Sequence, residues 1–148
     1  MSGDVIRHAG LVALRAAGSW RGVLIEGPSG SGKSDLALRA LGVGFRLVAD
    51  DRVLLWASDG RLFGRAPDTL NGLMELRGLE VARIGSLPMA EIALVVCHGI
   101  GERIPEPAFA DILGLKMPRL ELALGELSAP AKLSHALTVF DAAAKRRI

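Results

Sequence analysis

Gly27-Pro28-Ser29-Gly30-Ser31-Gly32-Lys33-Ser34 follows the apolar run Val23-Leu24-Ile25 and precedes Leu36, Ala37, Ala40 and Leu41, whose spacing is helical. The glycines admit backbone conformations and close approaches that side chains would block, so successive N–H groups can point at phosphate oxygens. Lys33 adds a positive charge, the start of a helix adds its dipole, and the Ser34 hydroxyl is placed to ligate Mg²⁺ on a bound nucleotide. Read as an ordinary glycine-rich turn, the segment would need loop, lysine, serine, strand and helix to agree by coincidence. The chain is therefore read as a nucleotide-binding P-loop protein that takes ATP with Mg²⁺, with residues 27–34 as the nucleotide contacts.

Around the loop, Ile6 to Leu14 and Val23 to Ile25 read as two strands separated by the turn Ala17-Gly18-Ser19, and Lys33 to Leu41 as a helix stopped at Gly42. Phe45 to Ala49 and Val53 to Ala57 read as strands, and Asp59-Gly60 is a hairpin signal before Arg61 to Gly64. Further on, Thr69 to Met74 is expected as a short helix, and Val81 to Ile84 and Glu91 to Cys97 as strands. Gly99 to Pro107 reads as a surface loop, Arg119 to Leu124 as a last strand, and Pro130 to Phe140 as a terminal helix with a Leu133-Leu137-Phe140 core stripe. No repeat or interdomain linker interrupts the 148 residues, so 1–148 is expected to be one α/β domain, a mixed sheet with flanking helices.

Half of the residues are hydrophobic, enough for a real core, yet no apolar run is long enough to span a bilayer and the N-terminus lacks a secretory pattern. A cytoplasmic protein is expected. A net charge of +2 with interspersed signs, and only 4 % aromatics, lacks the basic stripe with stacking rings that nucleic-acid binding uses. Cys97 has no second cysteine to pair with and reads as a buried strand thiol. His98 and His135 show no metal-ligand spacing and read as ordinary strand-end and helix residues.

The loop does not say where a phosphoryl group goes, which turns attention to Asp50 and Asp51 after a strand leading back toward it. One carboxylate could orient Mg²⁺ while the other takes a proton from an attacking hydroxyl. Adjacent strand residues point to opposite faces, however, and on spacing alone a solvated turn pair is an equally good reading.

Taken together, Gly22 to Ser34, then Arg46-Leu47-Val48-Ala49-Asp50-Asp51-Arg52-Val53, then Glu75-Leu76-Arg77-Gly78, resemble HPr kinase/phosphorylase over roughly His8 to Arg83. The resemblance implies a fold similar to phosphoenolpyruvate carboxykinase and transfer of the γ-phosphoryl group of ATP to a serine of the phosphocarrier protein HPr. The family's reverse reaction uses inorganic phosphate and releases pyrophosphate. Carried over, Lys33 contacts the nucleotide phosphates, Ser34 and Glu75 are magnesium ligands, Asp51 is the base that activates the acceptor serine, and Asp50 supports metal or acceptor. His8, by itself an exposed histidine near a terminus, is raised by His8-Ala9-Gly10-Leu11-Val12 to a catalytic candidate. The family's hexamers imply a homo-oligomer.

The sequence departs from the family by a longer connection through Arg15 to Arg21. It is also expected to lack the family's separate N-terminal domain, and Leu124-Gly125-Glu126-Leu127 stands where the C-terminal loop has an arginine, with Lys132 the candidate replacement. A short form made of the C-terminal catalytic domain is implied. A kinase of a small hydroxyl metabolite and a non-catalytic nucleotide sensor are the competing readings.

Overall fold

The structure is a computed structural model that describes residues 4–68 and 72–146, with side chains described to residue 139. Its strands in chain order are β1 (Val5–Arg7), β2 (Gly10–Ala16), β3 (Ser19–Glu26), β4 (Arg46–Ala49), β5 (Val53–Ser58), β6 (Arg61–Arg65), β7 (Leu73–Leu76), β8 (Glu80–Arg83), β9 (Ala90–His98), β10 (Ala108–Ile112) and β11 (Leu115–Leu122). Helix α1 covers Lys33–Leu41 and α2 covers Ala129–Arg146. Among the described residues, nine strands form one mixed sheet in the order β1-β5-β6-β9-β3-β2-β4, with β11 beside β9 and β10 beside β11, while β7 and β8 form a separate hairpin.

Strand alternation divides the apolar residues between two cores, one on each face of the sheet. Val23, Ile25, Leu94 and Val96 face α1 and α2, where Leu36, Ala37, Ala40, Leu133 and Leu137 meet them. Leu24, Val95 and Ile92 face the opposite way, onto Leu11, Val53, Leu55 and Leu62. Both faces are covered because the sheet curls. β1 pairs with β5 (Arg7↔Val53) and β2 with β4 (Leu11↔Ala49), so two antiparallel chains bend together at residues 8–9 and 50–52 within the one sheet.

Three hairpins turn on two residues with positive φ: Ala17-Gly18 (52° and 82°), Asp59-Gly60 (53° and 73°) and Leu113-Gly114 (52° and 80°). This is the turn geometry that matches the twist of antiparallel strands. The first of these closes the connection from Arg15 to Arg21, which is paired along its length, Arg15↔Trp20 and Ala16↔Ser19 included.

Some expectations change. Ile6 to Leu14 is not one strand but β1 and β2 separated at His8-Ala9. The helix expected over Thr69 to Met74 gives way at its end to β7, because Met74 is buried and Glu75 exposed in strand alternation; Thr69, Leu70 and Asn71 lie outside the described residues. β10 was not anticipated, and β11 starts earlier than Arg119. Leu133 and Leu137 are core as expected, while the Phe140 side chain lies outside the described residues.

β3 and β9 approach so closely that a Cβ on Gly22 would lie 2.8 Å from the Glu91 carbonyl oxygen, a backbone atom that cannot rotate away. Gly22→Ala is therefore expected to destabilise by about 1–3 kcal/mol. For a chain of this size that is a fall in Tm of roughly 2–10 °C, checked by thermal unfolding.

Candidate active site

The parallel strands β3 and β9, together with β4, deliver their carboxyl ends to one end of the sheet, and β2 begins there, with Gly10 opposite Ile25. Open α/β sheets bind ligands outside such strand ends. Residues 27–32 leave β3 at this point and lead directly into α1.

Within the loop, Gly30 and Gly32 have φ of 83° and 99°, conformations that side chains rarely adopt, and Gly32 is the N-cap of α1 without any side-chain cap bond. A Cβ on Gly27 would lie 2.6 Å from Ser31 Oγ and 3.0 Å from His98 Cβ, so the loop is packed against the end of β9. Ser31 Oγ is buried and has no hydrogen-bond partner among the described residues. An uncapped helix start, left-handed glycines and an orphaned hydroxyl suit an anion such as the phosphates of a nucleotide. Lys33 Nζ donates to the carbonyls of Gly27 (2.7 Å) and Pro28 (3.1 Å), which holds its ammonium across the loop entrance.

Asp50 and Asp51 part company at the end of β4. Asp50 is buried, and its Oδ1 accepts from Ser34 Oγ at 2.7 Å, which ties β4 to the first turn of α1. The backbone amides of Glu75 and Asp51 also bond its carboxylate. Glu75 thus reaches the site through its main chain, with its side chain exposed. Burial pushes the Asp50 carboxyl above its ordinary value, and the neighbouring Asp51 charge adds to that, while the Ser34 and amide hydrogen bonds oppose it.

Asp51 turns the other way because its backbone is left-handed, φ 71°, and Arg52 N–H bonds back to the Asp50 carbonyl at 2.8 Å. A turn closed from i to i+2 around a positive φ is an uncommon, strained conformation of the kind that collects at functional sites. It aims the Asp51 carboxylate at His8, whose Nε2 lies 2.7 Å from Asp51 Oδ1, and Ala9 N–H donates to the Asp51 carbonyl at 3.1 Å. His8, Asp50, Asp51 and Ser34 are therefore linked in one constellation at the loop. Among the described residues no three His, Cys, Asp or Glu side chains gather at one point. A divalent cation held by Ser34 and Asp50 would complete its shell from phosphate oxygens and water, as Mg²⁺ ordinarily does.

Sequence reasoning missed the ion pair Arg7 Nη1–Glu26 Oε2 (2.7 Å), whose members stand next to His8 and Gly27 but 19 positions apart, with no local signal joining them. It also missed Arg39, which donates to the carbonyls of Leu124 and Glu126 and fixes the turn before α2. Lys132 pairs with Glu126 at 2.6 Å. Cys97 is half-buried rather than fully buried, 4.0 Å from Glu26 Oε1, and His98 Nδ1 accepts from Leu124 N–H at 3.3 Å.

Fold and site define a P-loop kinase fold with an acidic pair at its phosphate loop. Residues 3–88 match the family described as the HPr Serine kinase C-terminal domain, and the chain belongs to that family. Among its relatives, the HPr kinase/phosphorylase of Geobacillus thermodenitrificans is 38% identical over 129 residues, 80% of this chain and 41% of that protein. That of Streptococcus thermophilus is 34% identical over 134 residues, 83% of this chain and 42% of that protein. This chain thus spans less than half the length of these relatives. The HPr(Ser) kinase/phosphatase structure from Coxiella burnetii shares the fold, with a TM-score of 0.74 at 24% identity, covering 91% of this chain and 98% of that one.

A carboxyl with a raised folded-state pKa stabilises the fold while protonated, and that contribution is lost as pH rises through the raised value. Asp50→Asn does not titrate there. The difference in Tm between parent and Asp50→Asn is therefore expected to move in the parent's favour as pH falls from about 7 toward about 4, measured by thermal unfolding across that range.

Proposed function

We propose that this chain transfers the γ-phosphoryl group of ATP to a serine hydroxyl of an HPr-type phosphocarrier protein, and runs the reverse reaction with inorganic phosphate. The observation that carries the reading is the His8–Asp51 contact of 2.7 Å beside the Ser34–Asp50 contact of 2.7 Å, a base pair and a cation pair at one phosphate loop. Family membership and the relatives' names support the direction of the chemistry.

In this reading the amides of residues 27–34 and the Lys33 ammonium hold the phosphates, while Ser34 and Asp50 would hold Mg²⁺; Glu75, the second magnesium ligand that the resemblance implied, has its side chain exposed and stands behind that pair. Bound there, Mg²⁺ neutralises phosphate charge. Asp51 accepts the proton of the serine hydroxyl as its oxygen bonds to the γ-phosphorus and the bond to the β-phosphate oxygen breaks, releasing ADP. His8 orients the Asp51 carboxylate and shares its charge through Nε2. In reverse, the proton returns from Asp51 to the serine oxygen as phosphate takes the phosphoryl group and pyrophosphate leaves.

Residues 1–148 act as one catalytic domain in this account, supported by the single sheet that both cores share. We place the reaction in the cytoplasm; among the described residues no helix is long and apolar enough to cross a membrane. A homo-oligomer belongs to the same reading, supported by exposed Leu79 and Val81 on the β7–β8 hairpin.

Incubation with labelled ATP, Mg²⁺ and purified HPr, followed by locating the label, tests the proposal. Lys33→Ala should lose most nucleotide binding, whereas Asp51→Asn should bind ATP normally and transfer about 10²–10⁴-fold more slowly. Transfer to HPr by Asp51→Asn at the parental rate would remove Asp51 from its role. A parent that binds ATP and never labels HPr would leave a nucleotide sensor, and turnover of a hydroxyl metabolite without protein would leave a small-molecule kinase.

A further inference from the structure

The ladder between β2 and β3 ends at Gly10↔Ile25. Beyond it the two chains separate, one toward His8 and Asp51, the other into the phosphate loop. Arg7 is the last residue of β1, directly before His8, and Glu26 is the last residue of β3, directly before Gly27. Their side chains meet across the mouth of the curled sheet at 2.7 Å, partly withdrawn from water at 36% and 21% exposure. The other oxygen of Glu26 faces Cys97 Sγ at 4.0 Å, so β9 backs the carboxylate. β1 itself has only three residues and, among the described residues, pairs with β5 alone, so His8 is held between that short strand and the bond from the Ala9 amide to Asp51.

We propose that the Arg7–Glu26 ion pair is a positioning clamp, which holds the His8–Asp51 pair at a fixed separation from the phosphate loop and so sets the transfer rate without taking part in nucleotide binding. The proposal rests on the phosphoryl-transfer reading above. Its physical basis is that an acceptor hydroxyl must be aligned with phosphorus while its proton is removed, and a misplacement of about 1 Å commonly costs about 10²-fold. An exposed pair would hold such geometry poorly, but a partly buried, backed carboxylate loses less of its attraction to solvent. Neither residue reaches a phosphate amide, so nucleotide affinity should be indifferent to it.

Arg7→Met keeps the apolar stem and removes the charge, and Glu26→Gln keeps the shape. Each should leave ATP affinity within about twofold and slow single-turnover transfer about tenfold or more. Swapping the partners, Arg7→Glu with Glu26→Arg, should recover much of the rate. In an Asp51→Asn background the clamp has no base to position, so adding Arg7→Met should cost little further; the same loss in both backgrounds would overturn the proposal. A readout independent of activity is hydrogen exchange of the Ala9 amide, which bonds the Asp51 carbonyl. Exchange there should accelerate in Arg7→Met while core amides of β3 keep their rates, and unchanged Ala9 exchange would also overturn the clamp. Accelerated exchange in a chain that transfers no phosphate would sink the transfer reading and with it the clamp's part in the rate, leaving only the structural tie between Arg7 and Glu26.

Discussion

The buried carboxylate of Asp50 is the constraint around which the site is arranged. A charge withdrawn from water is costly unless its lone pairs are satisfied, and here a hydroxyl from α1, an amide from β7 and the amide of the next residue satisfy them. Two segments distant in sequence are thereby pinned to one group. Burial and the adjacent Asp51 charge still outweigh those bonds, which leaves Asp50 raised in pKa and suited to a cationic partner.

Placing two neighbouring carboxylates in one site requires the chain to break strand geometry. Regular alternation would send Asp51 to the far side of the sheet, but the left-handed turn at φ 71° redirects it to His8. The strain of that turn is offset by hydrogen bonds on both sides, from Arg52 to the Asp50 carbonyl and from Ala9 to the Asp51 carbonyl. The kink shared by β1–β2 and β4–β5 therefore serves both the curl of the sheet and the pairing of His8 with Asp51.

Much of the chain was legible from local signals. The loop, α1 with its boundary at Lys33–Leu41, and the Asp59-Gly60 hairpin each combine turn chemistry with a clear period. β10 was missed because Leu113 is not a turn former and only Gly114 marks that hairpin. The helix expected to end at Met74 failed because tertiary contacts, not propensity, decide whether Met74 faces the core in strand or helical register.

The sequence by itself determined the phosphate loop, since its requirement is local: glycines that can adopt positive φ, then a lysine and a serine opening a helix. It also put Asp50 and Asp51 behind a strand that could return to the loop. Only the tertiary structure decided that Asp50 turns inward to Ser34, that His8 meets Asp51 across 43 positions, and that Arg7 meets Glu26 across 19. Those contacts depend on strand order and on the curl of the sheet, which are set by packing two cores against opposite faces rather than by any pattern along the chain.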